Sequence, residues 1–137
     1  MASVYPTEFA VDIEACRRTF LDRERGRLAE REERRRKALE VVGAAIAKCG
    51  PRYDSARRIY LFGSATRPGA LRPDSDVDVA VEGISASDYF ALWRDLEREA
   101  PEWTIDLRDI SGDSPFGERV RETGILVYER KSECPEG

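Results

Sequence analysis

Asp76-Val77-Asp78-Val79-Ala80-Val81 alternates acid with valine before turning wholly apolar, and it lies a short loop after Ile59-Tyr60-Leu61-Phe62-Gly63-Ser64. The period of two predicts a strand over 76–81 with both carboxylates on one face. Two carboxylates about 6.5–7 Å apart on a rigid strand repel each other unless a divalent cation sits between them. Magnesium, held by carboxylates together with substrate phosphates, suits such a pair. Gly63-Ser64 closes the other apolar run, and at the start of a helix it would deliver backbone N–H groups to a phosphate. Phosphate cradle and metal clamp together point to chemistry on a nucleoside triphosphate.

Working outward, residues 58–62 read as the first strand, 63–67 as a turn entering a short helix, and 68–74 as a loop rich in Pro and Gly. After 76–81, Ser85 or Ser87 caps a helix whose inward stripe is Phe90, Trp93 and Leu96, stopped by Pro101. A third strand over 103–108 sets Trp103, Ile105 and Leu107 against Thr104, Asp106 and Arg108. Ser114-Pro115 opens a helix with Phe116 and Val120 inward and Gly124 past its end, and 125–128 is a last strand. Upstream, residues 7–49 contain no proline and only Gly26 and Gly43, which predicts one long helix or two in series. Its ends carry helical apolar stripes, Phe9, Ile13, Cys16 and Phe20 at one and Leu39, Val42 and Ile46 at the other. Between them, residues 22–37 hold eight basic and five acidic side chains in sixteen positions. Glu30 with Arg34, Glu32 with Arg36 and Glu33 with Lys37 are acid-before-base pairs four apart, each worth about 0.2–0.5 kcal/mol on a solvated helix. That middle is expected to be exposed all round, an arm and not a core helix. The expected fold is α+β, a small mixed sheet of about four strands flanked by helices. Residues 1–50 form the helical arm, 51–130 the catalytic domain and 131–137 a disordered tail.

With 137 residues, 36% of them charged and 41% hydrophobic, the chain has the balance of one soluble domain. No stretch reaches the roughly eighteen apolar residues of a membrane span, and no apolar run near the start suggests a signal peptide. Cys16, Cys49 and Cys134 are odd in number and widely spaced, as free thiols of a reducing cytoplasm would be. The absence of histidine removes Ser-His-Asp and Cys-His nucleophilic schemes and histidine-based zinc sites. Acid–base work then falls to carboxylates, with magnesium or manganese the metal. A net charge of −4 gives no sign of nucleic-acid binding, and the basic run Arg34-Arg35-Arg36-Lys37 is interleaved with acids and lacks aromatics.

Gly63-Ser64, the loop, Asp76-x-Asp78 and Asp106 on a later strand resemble the minimal nucleotidyltransferases of the DNA polymerase beta superfamily. The resemblance runs from Arg57 to about Tyr128 and includes Pro73-Asp74-Ser75-Asp76-Val77-Asp78 and the closing Thr123-Gly124-Ile125-Leu126-Val127-Tyr128. It departs at Thr66-Arg67-Pro68-Gly69, where a proline is inserted and the gap from Ser64 to Asp76 is one residue longer. The resemblance implies that Asp76, Asp78 and Asp106 are catalytic and hold two magnesium ions about 3.5–4 Å apart, with Asp106 also drawing the proton from the attacking hydroxyl. It implies that Gly63, Ser64 and Arg67 bind the triphosphate of ATP. Small proteins of this kind are commonly antitoxins of toxin–antitoxin pairs whose partner is a HEPN-type ribonuclease silenced by adenylylation of a tyrosine.

Blander readings stand beside these. The paired acids could be the solvent face of a half-buried strand, Asp109 could replace Asp106, and Ser64 could simply cap a helix. Trp93, Phe90 and Trp103 read as core. A small-molecule or RNA acceptor, or a non-catalytic protein neutralising its partner through the arm, is the alternative function. The arm's apolar ends would then serve a helical partner or a homo-oligomer.

Overall fold

The computed structural model describes residues 12–131. Phe9, the tail from 132 onward and Cys134 lie outside the described residues. The helix over the charged segment is a single one, α1 (Ile13–Cys49), 37 residues long. Asp12 caps it by accepting from the Ala15 N–H at 3.1 Å, and Gly50-Pro51 ends it in a single 3-10 turn. There follow β1 (Arg58–Phe62), β2 (Val77–Glu82), α2 (Ala86–Glu99), β3 (Ile105–Asp109), α3 (Pro115–Thr123) and β4 (Ile125–Glu129). Ser85 caps α2 and Ser114 caps α3, where Pro115 occupies the first turn and sacrifices no needed N–H.

The four strands form one mixed sheet in the order β3-β2-β1-β4. β1 runs antiparallel to β2 and β4, whereas β2 and β3 are parallel and joined by the crossover helix α2. Alternation along the strands divides the sheet into two unlike faces. Ile59, Leu61, Val77, Val79, Val81, Ile105 and Leu107 bury themselves against Val42, Ile46 and Cys49 of α1 and Leu92 and Leu96 of α2. The reverse face is thinner: Tyr60, Ala80, Ile110 and Val120 pack there under α3, with Phe62 at the margin. No helix among the described residues is long and apolar enough to cross a membrane.

Several inward stripes shift. Phe90 is 69% exposed, and α2 instead buries Leu92 and Leu96, with Tyr89 and Trp93 partly covered. Tyr89 and Trp93 prevail because each also donates to a β3 carbonyl, at Leu107 and Ile105 respectively, which Phe90 has no group to do. Phe116 is likewise 46% exposed and forms a T-shaped pair with Phe62, at 5.5 Å between ring centres. On α1 the expected ion pairs four apart give way to pairs three apart, Glu32–Arg35 and Glu33–Arg36. The charged middle is not exposed all round, because Arg34 lies over the Trp103 ring at 4.5 Å and donates to the Arg72 carbonyl.

The two ends of α1 therefore differ in what they contribute. Ile46→Ala should destabilise the chain by about 2–5 kcal/mol in urea unfolding, while Phe20→Ser, at a position 62% exposed, should change it by less than about 0.5 kcal/mol.

Candidate functional site

The acids sit where the reverse face of the sheet runs out from under α3. Asp78 is the second residue of β2 and Asp106 the second of β3, and the parallel ladder makes them direct partners. Side chains of partnered residues leave the sheet on the same side, so the two carboxylates stand abreast, both half-buried. Asp76 lies one pleat earlier, just before β2, and is exposed. Asp109 ends β3 on the opposite parity and accepts from the Ser111 N–H at 2.8 Å, so it is a turn residue and no substitute for Asp106.

Like charges held this close perturb one another. Burial, and then the charges of Asp106 and Asp76, push the Asp78 carboxyl above its ordinary range, while Arg108 pulls it back. Arg108 leaves β3 beside Asp106 and bonds its Oδ2 through Nε at 3.3 Å and Nη2 at 3.2 Å. Sequence reading placed Arg108 on this face without seeing that it is the internal counter-ion of the acids. Among the described residues no three acidic side chains are already gathered as a metal cluster. The donor set nevertheless fits a hard divalent cation: only carboxylate oxygens, with negative charge in excess of the single neighbouring arginine. Asp78 and Asp106 would hold such an ion between them, with Asp76 completing its ligands.

Gly63 is fitted to this arrangement in two ways. Its φ of +69° is one that residues with a side chain rarely adopt, and an added Cβ would run into the Asp78 carboxylate. Gly63 to Thr66 form one 3-10 turn, closed by the Thr66 hydroxyl donating to the Gly63 carbonyl at 2.7 Å. The helix expected to start here does not continue. Arg67 is extended (φ −116°, ψ 125°) because the following Pro68 excludes helical backbone from the residue before it. Ser64 thus lies half-buried on the turn and Arg67 exposed at its exit. A depression of about 840 Å³ lined by Arg57, Arg58, Glu82, Glu129 and Arg130 lies at the far end of β1 and β2. Two of its cations are paired, Arg58 with Glu129 at 3.3 Å and Arg130 with Asp54 at 3.8 Å, and it holds neither the glycine turn nor the abreast aspartates.

Residues 45–133 match the family described as polymerase beta, nucleotidyltransferase. No curated protein matches the chain. Two solved structures share the fold. One is a chain of a double Asp-to-Glu mutant of the toxin–antitoxin MntA–HpeT, 22% identical over 65% of this chain and 74% of that one, with a TM-score of 0.52. The other is a chain of a toxin–antitoxin solved with AMP-PNP, 24% identical over 65% and 74%, with a TM-score of 0.53.

A carboxyl whose pKa is raised by folding holds its proton more tightly in the native state. Stability is then lost as pH rises from the unfolded value through the native one. Asp78→Asn should therefore raise the melting temperature at pH 7 in chelator, and the gain should shrink as pH is lowered through the Asp78 transition.

Proposed function

The chain belongs to the polymerase beta nucleotidyltransferase family, and on that footing we propose that it is a magnesium-dependent enzyme moving AMP from ATP to a hydroxyl. The acceptor we infer is a tyrosine of a HEPN-type toxin, with this chain as the cytoplasmic antitoxin of the pair. The observation that carries the reading is the register of Asp78 with Asp106, abreast on the half-buried sheet face that Gly63 borders. Two of the structures that share the fold are of toxin–antitoxins, one solved with AMP-PNP, which suits an antitoxin that handles an adenine nucleotide.

In this reading the Gly63–Thr66 turn receives the triphosphate, since the glycine lets backbone and phosphate approach closely. Ser64 donates to a phosphate oxygen and Arg67, exposed at the turn exit, balances its charge. Asp76, Asp78 and Asp106 hold the metal. Bound magnesium supplies charge stabilisation at the entering and leaving oxygens. Asp106 takes the proton of the acceptor hydroxyl, whose oxygen bonds to the α-phosphorus as the bond to the β-phosphate oxygen breaks and pyrophosphate leaves. Arg108 must release Asp106 for this to happen, and it then faces the negatively charged nucleotide. A sheet of four strands has little surface left to enclose both base and acceptor, so the partner completes the site.

Incubation with ATP labelled at the α-phosphate, magnesium and the product of the neighbouring gene should label a tyrosine of that product. Asp76→Asn/Asp78→Asn should abolish the label, leaving the chain folded. Equal transfer by the double variant would overturn the catalytic assignment, and label on an RNA end or a small molecule instead would redirect the acceptor.

A further inference from the structure

Two neighbouring ion pairs on α1 look alike in sequence and differ in what they touch. Glu33–Arg36 is exposed on both sides, 52% and 61%, and its hydrogen bonds stay within the helix. Glu32–Arg35 faces the sheet domain, and the Arg35 side chain is only 18% exposed. Arg35 grips Glu32 with a fork, Nε at 3.0 Å from Oε2 and Nη2 at 2.6 Å from Oε1. The fork leaves Arg35 its Nη1 and leaves Glu32 Oε2 a second lone pair. Glu32 Oε2 accepts from the Gly69 N–H at 3.2 Å, and Arg35 Nη1 donates to the Ala65 carbonyl at 3.4 Å.

These two backbone groups flank Arg67-Pro68. Here the chain is two short turns, Arg67 N–H to Ser64 carbonyl and Ala70 N–H to Arg67 carbonyl, each at 3.2 Å, with Gly69 at φ +71° and a proline that offers no N–H. Such a turn has little of its own to hold it in place. Leu28 packs over Gly69 one helical turn from Glu32, and a Cβ on that glycine would come within 3.0 Å of it. Arg35 first, and the Gly69 N–H to a smaller extent, hold the Glu32 carboxyl below its ordinary range.

We propose that Glu32 and Arg35 are positioning residues for the triphosphate loop, fastening its Ala65 and Gly69 ends to α1 so that nucleotide affinity depends on this helix. The inference rests on the nucleotidyltransferase reading of the loop. It touches no acid of the site and requires no contact between α1 and the nucleotide. Loosening either anchor frees Arg67 and the turn to wander, and ordering them again then falls on the nucleotide.

The test has two independent readouts on the full chain. Amide hydrogen exchange without nucleotide reports the loop itself, and binding of a fluorescent AMP-PNP analogue with magnesium reports its consequence. Glu32→Ala and Arg35→Ala should each speed exchange at Gly69 and weaken analogue binding about tenfold, with the melting temperature little changed. The double variant should be no weaker than the worse single, because the pair acts as one clamp. Glu33→Ala, the look-alike, should match wild type in both readouts. Glu32→Gln, which keeps an oxygen for the Gly69 N–H, should bind more tightly than Glu32→Ala. Wild-type exchange and affinity in both alanine variants would overturn the proposal. Faster exchange with unchanged affinity would reduce the clamp to a structural fastening, overturning it also. A wild-type chain that fails to bind the analogue, with loop exchange still responding to Glu32→Ala, would reject the nucleotide reading and the positioning role together.

Discussion

A parallel backbone ladder forces two like charges to stand side by side. Asp78 and Asp106 are partners in the β2–β3 pairing, and neither can turn away without breaking a register fixed by Val77, Val79, Ile105 and Leu107 on the other face. Burial first, and then the neighbouring charges, push the Asp78 carboxyl upward, and Arg108, two residues beyond Asp106, stands as their counter-ion. Burial of the apolar face thus holds an arrangement on the reverse face that electrostatics alone would disperse.

The asymmetry of the two faces follows from where helices land. α2 must cross the sheet to join two parallel strands, and α1 packs beside it, so both cover the same valine-rich face. Only the nine-residue α3 is left for the other side, where it packs near Tyr60 and Ala80 and its Phe116 meets Phe62, the cross-strand partner of Asp78. The acidic edge is open because the chain has no element to close it among the described residues. Gly63 completes the edge: its left-handed backbone lets the turn after β1 pass against Asp78 where any Cβ would collide.

The long helix joins three environments in one element. Its last turns are core, with Val42, Ile46 and Cys49 fully buried, and its first turns are solvated, with Ile13 and Phe20 more than half exposed. In between, a stretch that is charged all round fastens itself to the sheet domain through Arg34, Glu32 and Arg35. Charged side chains can do this because their targets are backbone carbonyls and an N–H on a turn that would otherwise bond only to water.

The sequence by itself determined the strands, the capped helices and the pairing of acids with a glycine turn, because period-two alternation and cap residues such as Ser85 and Ser114 are local signals. Local, too, was the restriction that Pro68 places on Arg67, although the early end of the turn's helix was not anticipated. The burial of Tyr89 over Phe90, the counter-ion role of Arg108 and the separation of Glu32–Arg35 from its look-alike Glu33–Arg36 were decided only by the tertiary structure. Tyr89 and Trp93 answer to β3 carbonyls 18 and 12 residues on and Glu32 to a turn amide 37 residues on. Arg108, only two residues from Asp106, gains its role from Asp78 on the neighbouring strand, and no spacing along the chain encodes those neighbours.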